Sequence, residues 1–239
     1  MKIATFNIQS GVGTTQGKWQ YITGSWKYAF PHSQAILPKI ADFAKSQKID
    51  LLTLSEVENS SFRSSRVNQT KIISDLSGLT NYRFFQTYKN IFANQGNSIL
   101  SRYNISEFES FKLPGNGQPR YLGKAIIEIN KKRINLLTTH LSLSKKYRLN
   151  QLEAIVDKIS SIRGPVILTG DLNTEDKSEI EVLKRTTLKM ADNLKTYPSW
   201  KPYKKLDYIF VSPDIKIIKS YLGNIRVSDH LPLITEVSL

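Results

Sequence analysis

Short apolar runs alternate with amphipathic stretches from one end of the chain to the other. Ile3 to Phe6, Leu51 to Leu54, Ser98 to Leu100, Ala125 to Ile129 and Ile134 to Leu137 are too short for helices and rich in branched side chains. So are Val166 to Leu168, Tyr208 to Val211, Ile215 to Ile218 and Leu233 to Val237. Runs of this kind predict buried strands. Between them Ile36, Leu37, Ile40, Phe43 and Ala44 recur at helical spacing, as do Ile72, Ile73 and Leu76. Leu149, Leu152, Val156 and Ile159 keep a 3–4–3 spacing, the apolar stripe of a packed helix. Strands and helices that alternate without a repeat or a low-complexity linker predict one α/β domain over residues 1–239.

One stretch breaks the pattern. Residues 11–33 form a long irregular piece carrying Trp19, Tyr21, Trp26, Tyr28 and Phe30 among Lys18, Lys27 and His32. Two readings fit it: aromatics packed over one edge of the core, or a surface that meets a substrate or a membrane.

Composition narrows the chemistry. The chain has 239 residues and no cysteine, which excludes a thiol nucleophile, a thiolate zinc site, an iron–sulfur cluster and a disulfide framework. At this length a core of ordinary size forms without such staples. Lys and Arg number 34 against 20 Asp and Glu, a net charge of +14. Such a surface attracts polyanions, either nucleic acid or an anionic membrane face. Met1-Lys2 leads straight into Ile3-Ala4-Thr5 with no signal-like apolar run, and nothing approaches the roughly 20 apolar residues of a membrane span. The expected location is therefore cytoplasmic, with no obligate protein partner evident.

Several predicted strands end in a residue that a core would not choose. The first ends at Asn7, the second at Glu56, another at His140 and another at Asp171, with Asn173 two positions on. Asp207 opens Tyr208 to Val211, and Asp229-His230 precedes Leu231-Pro232-Leu233. One acid at a strand end is ordinarily a turn or cap residue. Six elements carrying such residues, with two of the three histidines among them, predict an acidic pocket inside a basic protein. Hard oxygen donors without thiolates favour Mg2+ or Mn2+ over zinc. A carboxylate-held cation in a cationic protein suits phosphoester hydrolysis, with a carboxylate activating water and a histidine meeting the phosphoryl group.

At these residues the chain resembles the endonuclease/exonuclease/phosphatase superfamily. The matching stretches are Thr5-Phe6-Asn7, Leu54-Ser55-Glu56, Gly96 to Arg102, Thr139-His140-Leu141, Gly170-Asp171-Leu172-Asn173, Leu206 to Ile209 and Ser228 to Pro232. They occur in the family's order and span nearly the whole chain. The resemblance implies a four-layer α/β sandwich, two packed mixed β-sheets flanked by helices, with the site at one end of the sheets. It implies Glu56 as the principal metal ligand, Asn7 as a support of metal or phosphate, and Asp229 as a further metal-site carboxylate. By the same resemblance Asp171 orients and deprotonates the attacking water, and Asn173 holds that water or a phosphoryl oxygen. Asp207 fixes and charges His230, and His140 and Arg120 contact the phosphate. The stretch departs from the repair endonucleases of the superfamily, which carry Gln before the metal Glu; here it is Ser55. Its Gly96 to Arg102 and Ser199 to Pro202 segments are more similar to a small bacterial branch near the deoxyribonuclease and sphingomyelinase types.

The expectation is a Mg2+-dependent phosphodiesterase or nuclease. The net charge supports a nucleic-acid substrate, as do three basic groups expected near the site: Lys131-Lys132-Arg133, Lys145-Lys146 with Arg148, and Lys201 with Lys204-Lys205. The alternative is a phospholipid or phosphoinositide headgroup hydrolase whose aromatic loop meets a membrane. The intact polar set argues against a third reading, a binding module with a relic site.

Overall fold

The computed structural model describes residues 1–239. Twelve strands form two mixed sheets of six. In chain order, β1 (Lys2–Asn7) is followed by α1 (Trp19–Thr23), α2 (Ile36–Ser46), β2 (Leu51–Glu58) and α3 (Gln69–Ser77). Then come β3 (Asn81–Lys89), β4 (Asn94–Ser101), β5 (Asn104–Leu113), β6 (Arg120–Ile129), β7 (Lys132–His140) and α4 (Lys145–Ser160). The chain closes with β8 (Val166–Asp171), α5 (Lys177–Val182), β9 (Lys189–Met190), β10 (Asp207–Val211), β11 (Lys216–Leu222) and β12 (Leu233–Ser238). The first sheet runs β11-β12-β1-β2-β4-β3 and the second β5-β6-β7-β8-β10-β9. Each has one parallel pair at its centre, β1 with β2 and β7 with β8, and antiparallel pairs elsewhere.

Three apolar layers hold the sandwich. Ile3, Leu51, Ile99, Leu136, Ile167 and Ile209 meet between the sheets. Leu37, Ile40 and Ile73 bury α2 and α3 on the outer face of the first sheet, against Ala4, Phe6 and Leu52. Leu152, Ile155, Val156 and Ile159 seat α4 on the outer face of the second, against Leu137 and Leu168. The helix stripe is thus as expected, except that Leu149 lies at its half-buried margin. The α3 helix starts at Asn68, whose side chain accepts from the Lys71 N–H, and ends at Gly78 in the left-handed region (φ 80°).

Three strands carry no signal in the apolar pattern: β3, β5 and the two-residue β9. All three are edge strands; β5 and β9 are largely solvent-facing, so polar side chains such as those of Glu107, Glu109 and Lys112 are compatible with them, whereas β3 is mostly half-buried and sends Phe85 into the core. The irregular stretch proves partly helical, with α1 and a 3-10 turn at Ser25–Tyr28.

Strand parity places the site. Side chains alternate faces, so positions two apart line the same face. Ile3, Thr5 and Asn7 point between the sheets, in register with Leu51, Thr53 and Ser55 on β2. Across the gap Leu136, Thr138 and His140 are in register with Ile167, Thr169 and Asp171, and Asp171 with Asp207. The inter-sheet space therefore passes from an aliphatic layer through buried threonines to a polar row at one end. Thr53 and Thr169 donate to the backbone oxygens of Ala4 and Leu137, which satisfies those hydroxyls inside the core.

Candidate active site

The polar row opens into a cavity of about 820 Å³. Every residue predicted for the site lines it except Asp207, which is fully buried behind His230. Glu56 needs a local distortion to reach it. Between Leu54 and Val57 the register of β2 against β4 shifts, a bulge, and Glu56 sits at φ 56°. A bulge re-aims a side chain at the cost of strain, and both features recur at functional positions. Asn173 is also left-handed, at φ 53°. Its side chain donates to the Leu141 oxygen and its N–H to Asp171 Oδ1, at 2.9 and 2.8 Å.

Asp171 stands at the centre. Its Oδ2 accepts from Asn7 Nδ2 at 3.0 Å and lies 3.7 Å from Nε2 of both His140 and His230. The same Asn7 nitrogen donates to Glu56 Oε1 at 3.1 Å, while its oxygen accepts from the Gln9 N–H. Asn7 thus spaces the two carboxylates through its nitrogen. His230 Nδ1 is 2.7 Å from Asp207 Oδ2, which also accepts from Thr196 Oγ1 at 2.5 Å. Arg120, at the start of β6, is nearly buried at the cavity wall.

The two histidines are driven apart electrostatically. Burial lowers the His230 pKa, but the charges of Asp207 and Asp171 and the bond to Asp207 outweigh it, raising the imidazole to about 10. His140 is pushed well below its ordinary value by burial and by the positive charges of Arg120 and His230. One ring is an imidazolium and its neighbour neutral at pH 7. Burial raises the Asp171 carboxyl; the charge of His230 works against this, and the charge of Asp207 adds to it. Burial, then the charge of Asp229, raises Glu56.

The closest cluster of ligand-type atoms is Asp171, Asp207 and His230. A cationic imidazole already donating to Asp207 would repel a metal ion there. Glu56 and Asp229 are the carboxylates that could hold a cation. Glu56 accepts one protein hydrogen bond and faces the cavity, and a bound cation would offset its repulsion by Asp229. Asp229 accepts from Tyr21 Oη at 2.8 Å and from Ser228 Oγ at 3.1 Å.

Tyr21, Tyr28 and Tyr197 also line the cavity, and motif reading assigned them no role in it. Tyr21 lies 3.0 Å from Tyr197 Oη, and the Tyr197 ring packs 5.0 Å from that of His230. The irregularity of residues 11–33 was the one available signal. Of the basic groups expected near the site, only part is there. Lys131-Lys132-Arg133 forms the β6–β7 turn at the opposite end of β7 from His140, roughly 26 Å away at 3.3 Å per residue. Arg148 is buried in a two-bond pair with Glu179, and Lys205 in a pair with Asp192. Lys204 alone of these lines the cavity.

A model of the Endonuclease/Exonuclease/phosphatase family matches residues 4–230. The chain belongs to this family. A UPF0294 protein of Yersinia pseudotuberculosis is 33% identical over 107 residues, 43% of this chain and 41% of its own length. A Yersinia pestis UPF0294 protein matches equally, so the match spans about two fifths of these relatives. Among solved structures, an endonuclease/exonuclease/phosphatase from Beutenbergia cavernae superposes with a TM-score of 0.77 at 18% identity, over 100% of this chain and 71% of its own. A Bacteroides thetaiotaomicron mannosyl-6-phosphatase gives 0.75 at 16% over 100% of both chains. TDP2 of D. rerio, complexed with a single-strand DNA product, gives 0.74 at 18% over 100% and 99%. At these identities the likeness is one of fold.

Proposed function

We propose that this family member is a phosphodiesterase dependent on Mg2+ or Mn2+. The observation that carries the reading is the pair of histidines about Asp171, one cationic and one neutral, each 3.7 Å from its Oδ2. Glu56 and Asp229 would hold the ion, with Asn7 fixing Glu56. The ion supplies charge neutralisation at the phosphoryl oxygens. Asp171 takes the proton of a water whose oxygen attacks phosphorus, and Asn173 keeps Asp171 in place through its N–H. The His230 imidazolium donates to a non-bridging oxygen as charge grows there, held in line by Asp207. Neutral His140 and the Arg120 guanidinium flank the same group. The bond from phosphorus to the leaving oxygen breaks, and that oxygen departs as an alcohol after taking a proton from solvent.

Similar folds carry both a mannosyl-6-phosphatase and a protein complexed with a DNA product, which supports phosphoester chemistry and leaves the ester open. Nucleic acid remains supported by the +14 charge. Its second support weakens, because one basic group lies at the far end of the sheet and two of the other cations are buried in ion pairs. The test is turnover of bis(p-nitrophenyl) phosphate beside the monoester. Mg2+ should give diester cleavage that excess chelator abolishes without loss of the far-ultraviolet circular dichroism, and Asp171→Asn should be inactive. Undiminished activity in chelator removes the proposal.

A further inference from the structure

Thirteen large apolar side chains are exposed, and nine of them lie on four stretches that also contribute residues to the cavity wall. Residues 11–35 present Trp19, Ile22, Trp26 and Phe30 around the wall residues Tyr21 and Tyr28. Residues 86–95, the β3–β4 turn, present Ile91 and Phe92 between Tyr88 and Gln95. Leu143 follows His140, and residues 197–206 carry Tyr203 beside Lys204. Exposed apolar side chains gathered on the segments around a site mouth mark an interaction surface.

Charge on the same stretches has one sign. Residues 11–35, 86–95, 141–148 and 197–206 contain no Asp or Glu and nine Lys or Arg. Three of these are engaged by Asp176, Glu179 and Asp192. Lys18, Lys27, Lys89, Lys146, Lys201 and Lys204 have no carboxylate partner. Apolar side chains among free lysines match an anionic lipid–water interface, where the rings and aliphatic groups enter the acyl boundary and the ammonium groups meet headgroups.

Nucleic acid fits the charge and the rings of the rim but not its most exposed side chains. Aromatic rings stack on bases. The three most exposed members of the rim are aliphatic, Ile91 at 81% and Ile22 and Leu143 at 79%, and these offer nothing to a base or a phosphate. The rim is also continuous with the chemistry: Tyr21, between exposed Trp19 and Ile22, donates to Asp229, and the Tyr28 oxygen accepts from Arg63.

We propose that this rim docks on an anionic phospholipid surface and presents a lipid phosphodiester to the cavity. The proposal rests on the phosphodiesterase reading and deepens it. It is tested by flotation with vesicles of one part phosphatidylglycerol to two of phosphatidylcholine, with headgroup release measured in Mg2+. The wild type should float with these vesicles, less so in high salt, and release headgroup. Ile22→Asp and Ile91→Asp should each weaken flotation about tenfold, the scale set by losing one buried aliphatic side chain. Both should turn over the soluble diester as the wild type does, which confirms that they fold.

Wild-type protein that stays in the aqueous phase, variants that float as well as it, or bound protein that releases no headgroup would overturn the docking proposal. Plasmid cleaved equally by wild type and variants, with intact vesicles, would give the substrate to nucleic acid instead. No turnover of the soluble diester by the wild type would sink the underlying reading, whatever the flotation result.

Discussion

Asp207→Asn tests the electrostatic core of the site with almost no change in shape. His230 is buried, and burial alone would leave it neutral. The Asp207 carboxylate at 2.7 Å, helped by Asp171, instead raises it from 6.5 to about 10. That difference is worth ~5 kcal/mol in favour of the cation. An amide at the same position keeps a hydrogen bond and removes the charge, so burial prevails and the pKa should fall by about two units or more. The chain has three histidines, and burial lowers the other two, so the readout is simple. In metal-free wild type, proton–nitrogen correlation spectra should show one imidazolium persisting beyond pH 8. In Asp207→Asn none should. Turnover at pH 8 should drop roughly 10²-fold, the usual worth of a positioned acid–base group. Stability follows with a definite sign. A histidine whose folded pKa exceeds its unfolded value stabilises fully below about 6.5, and that contribution fades as pH rises through about 10. The wild type should therefore lose its advantage over the variant within that window in urea titrations. A His230 ring that still titrates near the wild-type value in Asp207→Asn would refute the reasoning.

Two further outcomes follow from the geometry. Gly170 precedes Asp171 at φ 135°, and a Cβ there would stand 1.9 Å from the Thr139 backbone oxygen, so Gly170→Ala should cost about 3 kcal/mol or more in chemical denaturation. Tyr21→Phe removes the donor to Asp229 Oδ2 and should change the Mn2+ affinity measured by calorimetry, with thermal stability nearly intact because α1 buries no residue; an unchanged affinity would separate Tyr21 from the cation site.

Much of the site was legible in the chain because strand parity is a property of sequence. Thr5-Phe6-Asn7, Thr138-Thr139-His140 and Thr169-Gly170-Asp171 each step from core to threonine to functional residue with a period of two. Period two fixes which face a side chain takes before any tertiary contact is known. The strands buried on both faces announced themselves by their apolar runs, whereas the exposed edge strands β5 and β9 did not, since solvent imposes no pattern on them, nor did the half-buried edge strand β3. Tertiary structure alone decided which charges were free. Arg148 and Lys205 read as surface cations until Glu179 and Asp192, distant in sequence, meet them inside the protein. Lys131-Lys132-Arg133 read as near the site until the direction of β7 carried it to the other end of the sheet. The same holds for the aromatic stretch, where only the folded chain turns Tyr21 toward Asp229 and Ile22 toward solvent. Local periodicity sets the face of a side chain, but the partner of a charge depends on contacts between elements far apart along the chain.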